Sequence, residues 1–148
     1  MRAKYAIKQI SIFLENRKGR LKEVTQVLAE ANVNIRALAL AESAEFGILR
    51  LVVDNPEKAR SVLSAGGFTV KEQDVFAVEV PDKPGGFYQV VKILTEADIN
   101  IDYTYAFVGG KDSAILIFKV PDTLFEKALE VIHQGGVKLV EPIFFYGS

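Results

Sequence analysis

The chain contains 148 residues, of which 49% are hydrophobic and 25% are charged. This balance is typical of a folded globular protein and excludes a disordered tail or linker. The formal net charge of −1 provides no overall positive field for nucleic acid or anionic lipid. The sequence contains no cysteine, which excludes disulfides, thiolate catalysis, iron–sulfur clusters and Cys-based zinc sites.

The beginning of the sequence carries two positive charges, but no apolar run of signal-peptide length follows them. No stretch of about 18 apolar residues occurs, so no segment is expected to span a membrane. Together with the lack of cysteine, these observations predict a cytoplasmic protein.

An internal repeat organises the sequence. The segment LENRKGRLKEVTQVLAEANVNI, from Leu14, aligns without a gap with VPDKPGGFYQVVKILTEADINI, from Val80. The offset is 66 residues, and the aligned apolar positions are apolar in both copies. The order of predicted elements also matches, so the repeat indicates two copies of one fold. We predict domains at 1–73 and 74–148.

Hydrophobic spacing in copy one predicts strand, helix, strand, strand, helix, strand. The first helix is predicted to end near Asn32, because Asn tolerates a left-handed conformation. The second helix is predicted to begin after Asp54 and Asn55, since either residue can cap it and Pro56 suits its first turn. The predicted elements are a strand at 9–15, a helix from Leu21 to near Asn32, strands at 35–41 and 46–53 joined by a turn at 42–45, a helix from Asp54, Asn55 and Pro56 to Gly66, and a strand beginning at 68–71.

Copy two repeats this order. Its predicted elements are a strand at 76–80, a helix at 86–97, strands at 101–108 and 113–120 joined by a hairpin turn at 109–112, a helix with Leu124, Ala128, Leu129 and Ile132 on one face, and a closing strand at 137–145.

A βαββαβ chain of this length predicts an α+β fold, the ferredoxin-like sandwich with two helices on one sheet face. One copy lies near the lower size limit for a self-sufficient core. No flexible linker separates the copies, and residues 68–80 read as nearly continuous extended chain. We therefore expect two tandem ferredoxin-like sandwiches packed on each other.

Each copy has a glycine-containing turn between its first strand and first helix, at 16–20 and 82–86. Free N–H groups at a helix start attract a carboxylate. The side chain of Asn16 or Asp82 offers an oxygen to an ammonium group, so the geometry suits an α-amino acid. The alternative is that Asn, Asp and Gly are simply turn-forming residues here.

Asparagine recurs at the start of the second strand of each copy, as Asn34 and Asn100. Asparagine is depleted in strands, so its recurrence in one frame favours a functional role. The structural alternative is an Asx turn or a helix-exit residue.

An aromatic stripe, Tyr103, Tyr105 and Phe107, follows Asn100 and matches alanines in copy one. This pattern suits packing of two non-identical copies. The alternative is a stacking platform for RNA bases. The signature of RNA-recognition strands and a basic charge are both absent, so we expect no nucleic-acid partner.

The two turn motifs resemble the ACT domain, a βαββαβ module that binds amino acids and regulates metabolic enzymes. The resemblance is carried by Glu15-Asn16-Arg17-x-Gly19-x-Leu21 with Asn32-Val33-Asn34-Ile35, and by Asp82-Lys83-Pro84-Gly85-Gly86-Phe87 with Asp98-Ile99-Asn100-Ile101. Copy one most resembles the serine-sensing ACT domain of phosphoglycerate dehydrogenase.

The resemblance implies ligand contacts at both turns and both strand starts. These residues are Asn16, Arg17, Gly19, Arg20, Leu21, Asn34, Ile35 and Arg36 in copy one, and Asp82, Pro84, Gly85, Gly86, Phe87, Asn100, Ile101, Asp102 and Tyr103 in copy two.

Two residues depart from the family pattern: Lys18 replaces the turn proline of copy one, and Asp82 replaces asparagine in copy two. An anionic Asp repels a carboxylate but attracts an ammonium, so the two sites are expected to differ.

The family arrangement implies a ligand between the turn of one copy and the second strand of the other. Asn16 would then face Asp102 and Tyr103. Asp82 would face Arg36 and Ala37, with Arg36 pairing with Asp82 or with a ligand carboxylate.

We therefore expect a regulatory or sensor protein that binds a small amino acid and acts on a separate enzyme, with a homodimer as its assembly. No catalytic residue, cofactor, metal or membrane partner is expected. The single histidine, His133, excludes a two-histidine metal site within one chain and is assigned to a helix end, where its charge suits the dipole. The alternative is a ligand-free interaction module that bridges subunits of a metabolic complex.

Overall fold

The computed structural model describes residues 1–42 and 45–146. The chain forms two compact units. Among the described residues, the first-copy unit contains Lys8–Gln73 with Phe145 and Tyr146, and the second-copy unit contains Met1–Ile7 and Asp74–Phe144.

The helices and strands follow the repeat. In chain order they are α1 (Arg2–Tyr5), β1 (Ile7–Glu15), α2 (Arg20–Glu30), β2 (Ile35–Glu42), β3 (Phe46–Val53), α3 (Pro56–Ala65), β4 (Thr69–Pro81), α4 (Gly86–Glu96), β5 (Tyr103–Gly110), β6 (Ser113–Lys119), α5 (Phe125–Gln134) and β7 (Lys138–Val140), with 3-10 turns at Asp122–Leu124 and Pro142–Phe144.

The first-copy unit has the strand order β2-β3-β1-β4, in which β3 pairs antiparallel with both β1 and β2. Alternate residues of each strand face α2 and α3, because successive side chains point to opposite faces. The buried core on this face comprises Ile10, Ile12, Leu14, Val24, Leu28, Val33, Leu49, Leu51, Val53, Ala59, Leu63 and Phe68.

The second-copy unit has the strand order β7-β4-β6-β5, with antiparallel pairing throughout. Its larger core comprises Phe76, Val78, Val80, Val90, Leu94, Ile99, Leu116, Phe118, Val120, Phe125, Ala128, Leu129, Ile132 and Leu139.

The N-terminal helix α1 packs on α5 through Arg2. Its Nε and Nη2 donate to Oδ2 of Asp74 at 3.1 and 2.8 Å, and its guanidinium lies 4.4 Å from the centre of the Phe125 ring. The hydrogen bond to Asp74 raises the pKa of Arg2 above its usual value. This short helix was not predicted, because a single turn carries no hydrophobic periodicity.

The predicted α+β fold with two βαββαβ copies is confirmed. Residues 69–81 form one continuous strand, as the extended pattern at 68–80 indicated. Asn32 ends the first helix with φ +60°, and the Asn55 side chain accepts from the Lys58 N–H at 3.2 Å, as predicted. The predicted turn at 42–45 includes residues 43 and 44, which lie outside the described residues.

Three predicted strand limits are wrong. The closing strand at 137–145 is only Lys138–Val140, because Pro142 lacks an N–H and begins a 3-10 turn. Strand β5 begins at Tyr103 and continues through Gly110. The hairpin turn is therefore reduced to Lys111 and Asp112, the latter with φ +63°.

Candidate functional site

The two glycine turns have nearly the same backbone. Gly19 precedes α2 with φ +95°, and Gly85 precedes α4 with φ +90°, a conformation that L side chains rarely adopt. Neither helix start carries a side-chain cap. The N–H groups of Arg20 and Gly86 donate to the Arg17 and Lys83 carbonyls at 3.3 and 3.1 Å, so the N–H groups of the next two residues of each helix are left for water or a bound anion.

The residues after these two glycines differ between the copies. A Cβ atom on Gly86 would lie 2.6 Å from the carbonyl oxygen of Pro81, so this position requires glycine. The aligned residue of copy one is Arg20, whose guanidinium lies 4.7 Å from the Phe68 ring centre and pairs with Glu23. Arg20 therefore serves packing within its own unit.

Other turn side chains are exposed. Arg17 pairs with Glu15 at 3.3 Å, and Pro84 is exposed. Leu21 and Phe87, at aligned positions in the first helical turns, expose 43% and 47% of their surface. Each turn thus places an apolar surface beside uncapped N–H groups, which matches the apolar and anionic parts of an amino acid.

The backbone of Asn34 is fixed by two hydrogen bonds. Its N–H donates to Oδ1 of Asp54 at 2.9 Å, and its carbonyl accepts from the Asp54 N–H at 3.0 Å. The Asn34 side chain is exposed and, within the described part of the chain, makes no hydrogen bond. Its amide is therefore available to a ligand.

The corresponding segment of copy two is held differently. Asn100 Nδ2 donates to Oδ1 of Asp102 at 3.2 Å. The buried Lys119 places its Nζ 3.5 Å from Oδ2 of Asp102 and 2.6 Å from the Val120 carbonyl. The Asp102 carboxylate is thus held by partners within its own unit. The aligned residue of copy one is Arg36, which carries the opposite charge.

The isoleucines at the strand starts face inward. Ile35 and Ile101 are half-buried and pack against the cores of their units. Arg36 is exposed, whereas Ala37 is buried and Tyr103 is half-buried.

No unit brings its own turn and strand start together. The Asn16 N–H donates to the Glu45 carbonyl at 2.9 Å, just before β3, whereas Asn34 bonds to Asp54, just after β3. Because Glu45 and Asp54 flank the eight-residue strand β3, these sites lie about 30 Å apart.

The turn and the strand start are also far apart in the second-copy unit. Asp82 and Asp102 bond at opposite ends of the seven-residue strand β6, through the Asp112 and Lys119 carbonyls at 3.0 and 2.8 Å. The two ends of β6 are about 23 Å apart. A ligand that contacts both a turn and a strand start therefore needs a second unit.

Within residues 1–42 and 45–146, no group of three or more His, Asp or Glu side chains could hold a metal ion. None of the described helices is long and apolar enough to cross a membrane.

The fold defines a pair of ferredoxin-like domains with an uncapped glycine turn at the same place in each. The sequence profile of a family described as an ACT domain pair matches residues 5–142. The chain belongs to this family of ACT domain pairs, the class of module that the two turn motifs resembled.

Solved structures support the family fold. Protein BT0572 from Bacteroides thetaiotaomicron is 37% identical, with a TM-score of 0.90 over 98% of this chain and 99% of that chain. The ligand-free regulatory subunit of aspartate kinase from Thermus thermophilus is 17% identical, with a TM-score of 0.65 over 91% and 95%.

Aspartokinase III of E. coli, in complex with aspartate and ADP, is 20% identical with a TM-score of 0.59 over 88% of this chain and 32% of that chain. At these identities the two aspartate kinase matches concern the fold alone. No curated protein sequence matches the chain. The resemblance of copy one to a serine-sensing domain stays a prediction.

Proposed function

We propose that this ACT domain pair binds a small amino acid and regulates a separate enzyme or other partner, without performing catalysis itself. The observation that carries the proposal is the pair of uncapped helix starts after Gly19 and Gly85. The similar Thermus protein is a regulatory subunit of aspartate kinase, and the similar E. coli enzyme was solved with aspartate and ADP.

The ligand is oriented by its two charges. Its carboxylate accepts hydrogen bonds from the N–H groups at the start of α2 or α4, where the helix dipole favours negative charge. Its ammonium group meets the side-chain oxygen of Asn16 or Asp82, and its side chain lies against Leu21 or Phe87. The exposed amide of Asn34 completes the contacts from a second unit.

A homodimer supplies that second unit through the edge strand β2. Two copies of β2 paired antiparallel about Ala39 would place Arg36 opposite Glu42 and Leu38 opposite Leu40. The two leucines expose 58% and 49% of their surface. Such pairing would cover the exposed edge of the sheet at β2.

The same pairing completes the ligand site. The end of β2 lies beside the start of β3, where the Asn16 turn is bonded to Glu45. An antiparallel partner strand would therefore bring its own Asn34 to this end of the sheet. The family arrangement predicts instead that Asp102 and Tyr103 face Asn16, and variants of Asn34 and Asp102 separate these two possibilities.

The proposal is tested by a thermal-shift screen of the purified protein against the twenty amino acids at millimolar concentration. A ligand that binds only the folded state adds about 2.7 kcal/mol of stability at a hundredfold excess over Kd. We expect one small amino acid to raise the Tm. No shift from any amino acid, with the protein shown to be folded, would favour the ligand-free interaction module.

Calorimetric titration of variants then locates the site. Asn16→Ala and Asn34→Ala should each weaken binding by about tenfold or more, because each removes a hydrogen bond to a charged group. Gln26→Ala, which removes an exposed amide on α2, is the matched control and should bind normally. Normal binding by both asparagine variants would refute the site assignment.

A further inference from the structure

A pocket lies on the face of the first-copy sheet that is opposite the helices. Its volume is about 270 Å3, and its walls include Ser11, Phe13, Ile48, Arg50, Lys71 and Gln73. This volume is slightly below the range of about 300–1,000 Å3 that is usual for small-molecule sites, so it suits a small metabolite. The pocket lies within one unit and contains none of the turn or strand-start residues described above.

The pocket is lined by both cationic and apolar side chains, with Arg50 on β3 and Lys71 on β4 flanking strand β1. Arg50 and Lys71 provide two cations, and no acidic side chain is among its described lining residues. Phe13 is 48% exposed and lies against Phe46, with ring centres 5.1 Å apart. In a chain of net charge −1, this is a local positive site beside an exposed aromatic surface.

Polar residues hold the floor of the pocket. Gln9 is fully buried, and its Nε2 donates to Oε1 of Gln73 at 3.2 Å and to Oγ of Ser11 at 3.3 Å. The Ser11 hydroxyl donates to the same Gln73 oxygen at 2.7 Å. These bonds fix the Ser11 and Gln73 side chains, so the pocket is organised without a ligand.

The fold does not require polar residues at these positions. Ser11 pairs with Arg50 in the first-copy sheet, and the aligned pair in the second-copy sheet is Ala77 with Ile117, both fully buried. The position of Gln9 is occupied by Val75 in copy two. One copy thus builds this face from apolar residues and the other builds a cationic pocket, which indicates a role beyond folding.

We propose that this open-face pocket of the first-copy unit binds a small organic carboxylate with an apolar or aromatic tail, at a site separate from the amino-acid site. The carboxylate pairs with Arg50 and Lys71, since a guanidinium can bind it through two parallel hydrogen bonds. The tail lies against Phe13 and Ile48. The protein thereby binds a second kind of ligand, which needs no ammonium group for binding.

The test uses the full chain labelled with nitrogen-15 and titrated with three probes: phenylacetate, 4-methylpentanoate and 4-phenylbutanoate. Phenylacetamide, the neutral isostere of the first, is the ligand control. We expect at least one carboxylate to shift the backbone amides of β1, β3 and the start of β4 saturably. Phenylacetamide should bind at least about tenfold more weakly, because it loses the charge pairing.

Protein variants complete the test. Arg50→Gln and Lys71→Gln should each weaken carboxylate binding by about threefold to tenfold, while Lys22→Gln, an exposed lysine on α2, should leave it unchanged. Lys71 is exposed, so its variant remains informative if Arg50→Gln does not fold. Asn34→Ala should bind the probes normally, which separates this site from the amino-acid site.

Three results would overturn the inference. The first is the absence of saturable shifts from all three carboxylates, and the second is equal binding of phenylacetate and phenylacetamide. The third is loss of probe binding in Asn34→Ala with normal binding in Lys71→Gln, which would place the probe in the amino-acid site.

Discussion

The carbonyl oxygen of Pro81 would lie only 2.6 Å from a Cβ atom on Gly86. Because the obstacle is backbone, Gly86→Ala must displace the turn, and we expect a loss of about 1–3 kcal/mol in the free energy of unfolding. Urea denaturation measures this change. Gly110→Ala is the control, since its Cβ would make an ordinary 3.7 Å contact with Ser113. Equal effects of the two substitutions would contradict the steric explanation.

The Asn55 cap offers a second stability test. Its side chain accepts a hydrogen bond from the Lys58 N–H at the start of α3. Asn55→Ala should therefore cost about 1 kcal/mol in thermal or chemical denaturation. Asn55→Asp retains a capping oxygen and should remain close to the parent. A destabilised Asp variant would indicate that the amide group has another role.

The Glu79–Lys138 pair predicts a pH effect. Hydrogen bonds from Lys138 and then Ser113 lower the pKa of Glu79, and Lys138 Nζ lies 3.0 Å from its carboxylate. The unfolded state therefore binds the proton more readily, so the pair stabilises the protein above the unfolded pKa of about 4.3. This contribution is lost as the pH falls through the lower folded pKa.

Lys138→Met should consequently reduce the difference in unfolding free energy between pH 7 and pH 3. The effect should be small, because the Glu79 carboxylate is partly screened by solvent. Lys111→Met removes an exposed lysine in the β5–β6 turn and serves as the comparison. Identical pH dependence in both variants would show that the ion pair contributes nothing measurable.

The charge of Asp82 predicts a difference in ligand selectivity. With Asp82 in the turn, a carboxylate ligand without an ammonium group meets like charge. Asp82→Asn should therefore improve binding of the deaminated analogue relative to the amino acid by about tenfold at the second-copy turn. Calorimetric titration of both ligands measures the ratio, with Glu96→Gln as an exposed control. An unchanged ratio would place the ammonium group elsewhere.

The repeat made most of the fold predictable. An offset of 66 residues relates Asn32 to Asp98, and both adopt a left-handed conformation, with φ of +60° and +59°. The first helix therefore ends in the same backbone conformation in both copies. The termini were less predictable: α1 is too short to show periodicity, and the proline at 142 overrides the apolar pattern that predicted a long closing strand.

The sequence predicts the positions of the turn glycines, but not the contacts that the neighbouring side chains make. A turn motif identifies a positive-φ position such as Gly19, because few residues tolerate it. It does not show that Arg20 stacks on Phe68, since that contact joins segments far apart in sequence. The open-face pocket has no sequence signature, because Ser11 and Arg50 come from separate strands and each fits an ordinary strand pattern.

The turn before α4 is held by its backbone: the Asp82 N–H bonds to Asp112, and the Lys83 N–H bonds to Pro81. The carboxylate of Asp82 is exposed, so the shape of the loop does not depend on it. The charge at position 82 can therefore change without loss of the loop's shape. In evolutionary terms, the two turns are able to diverge in charge while both copies keep the same fold.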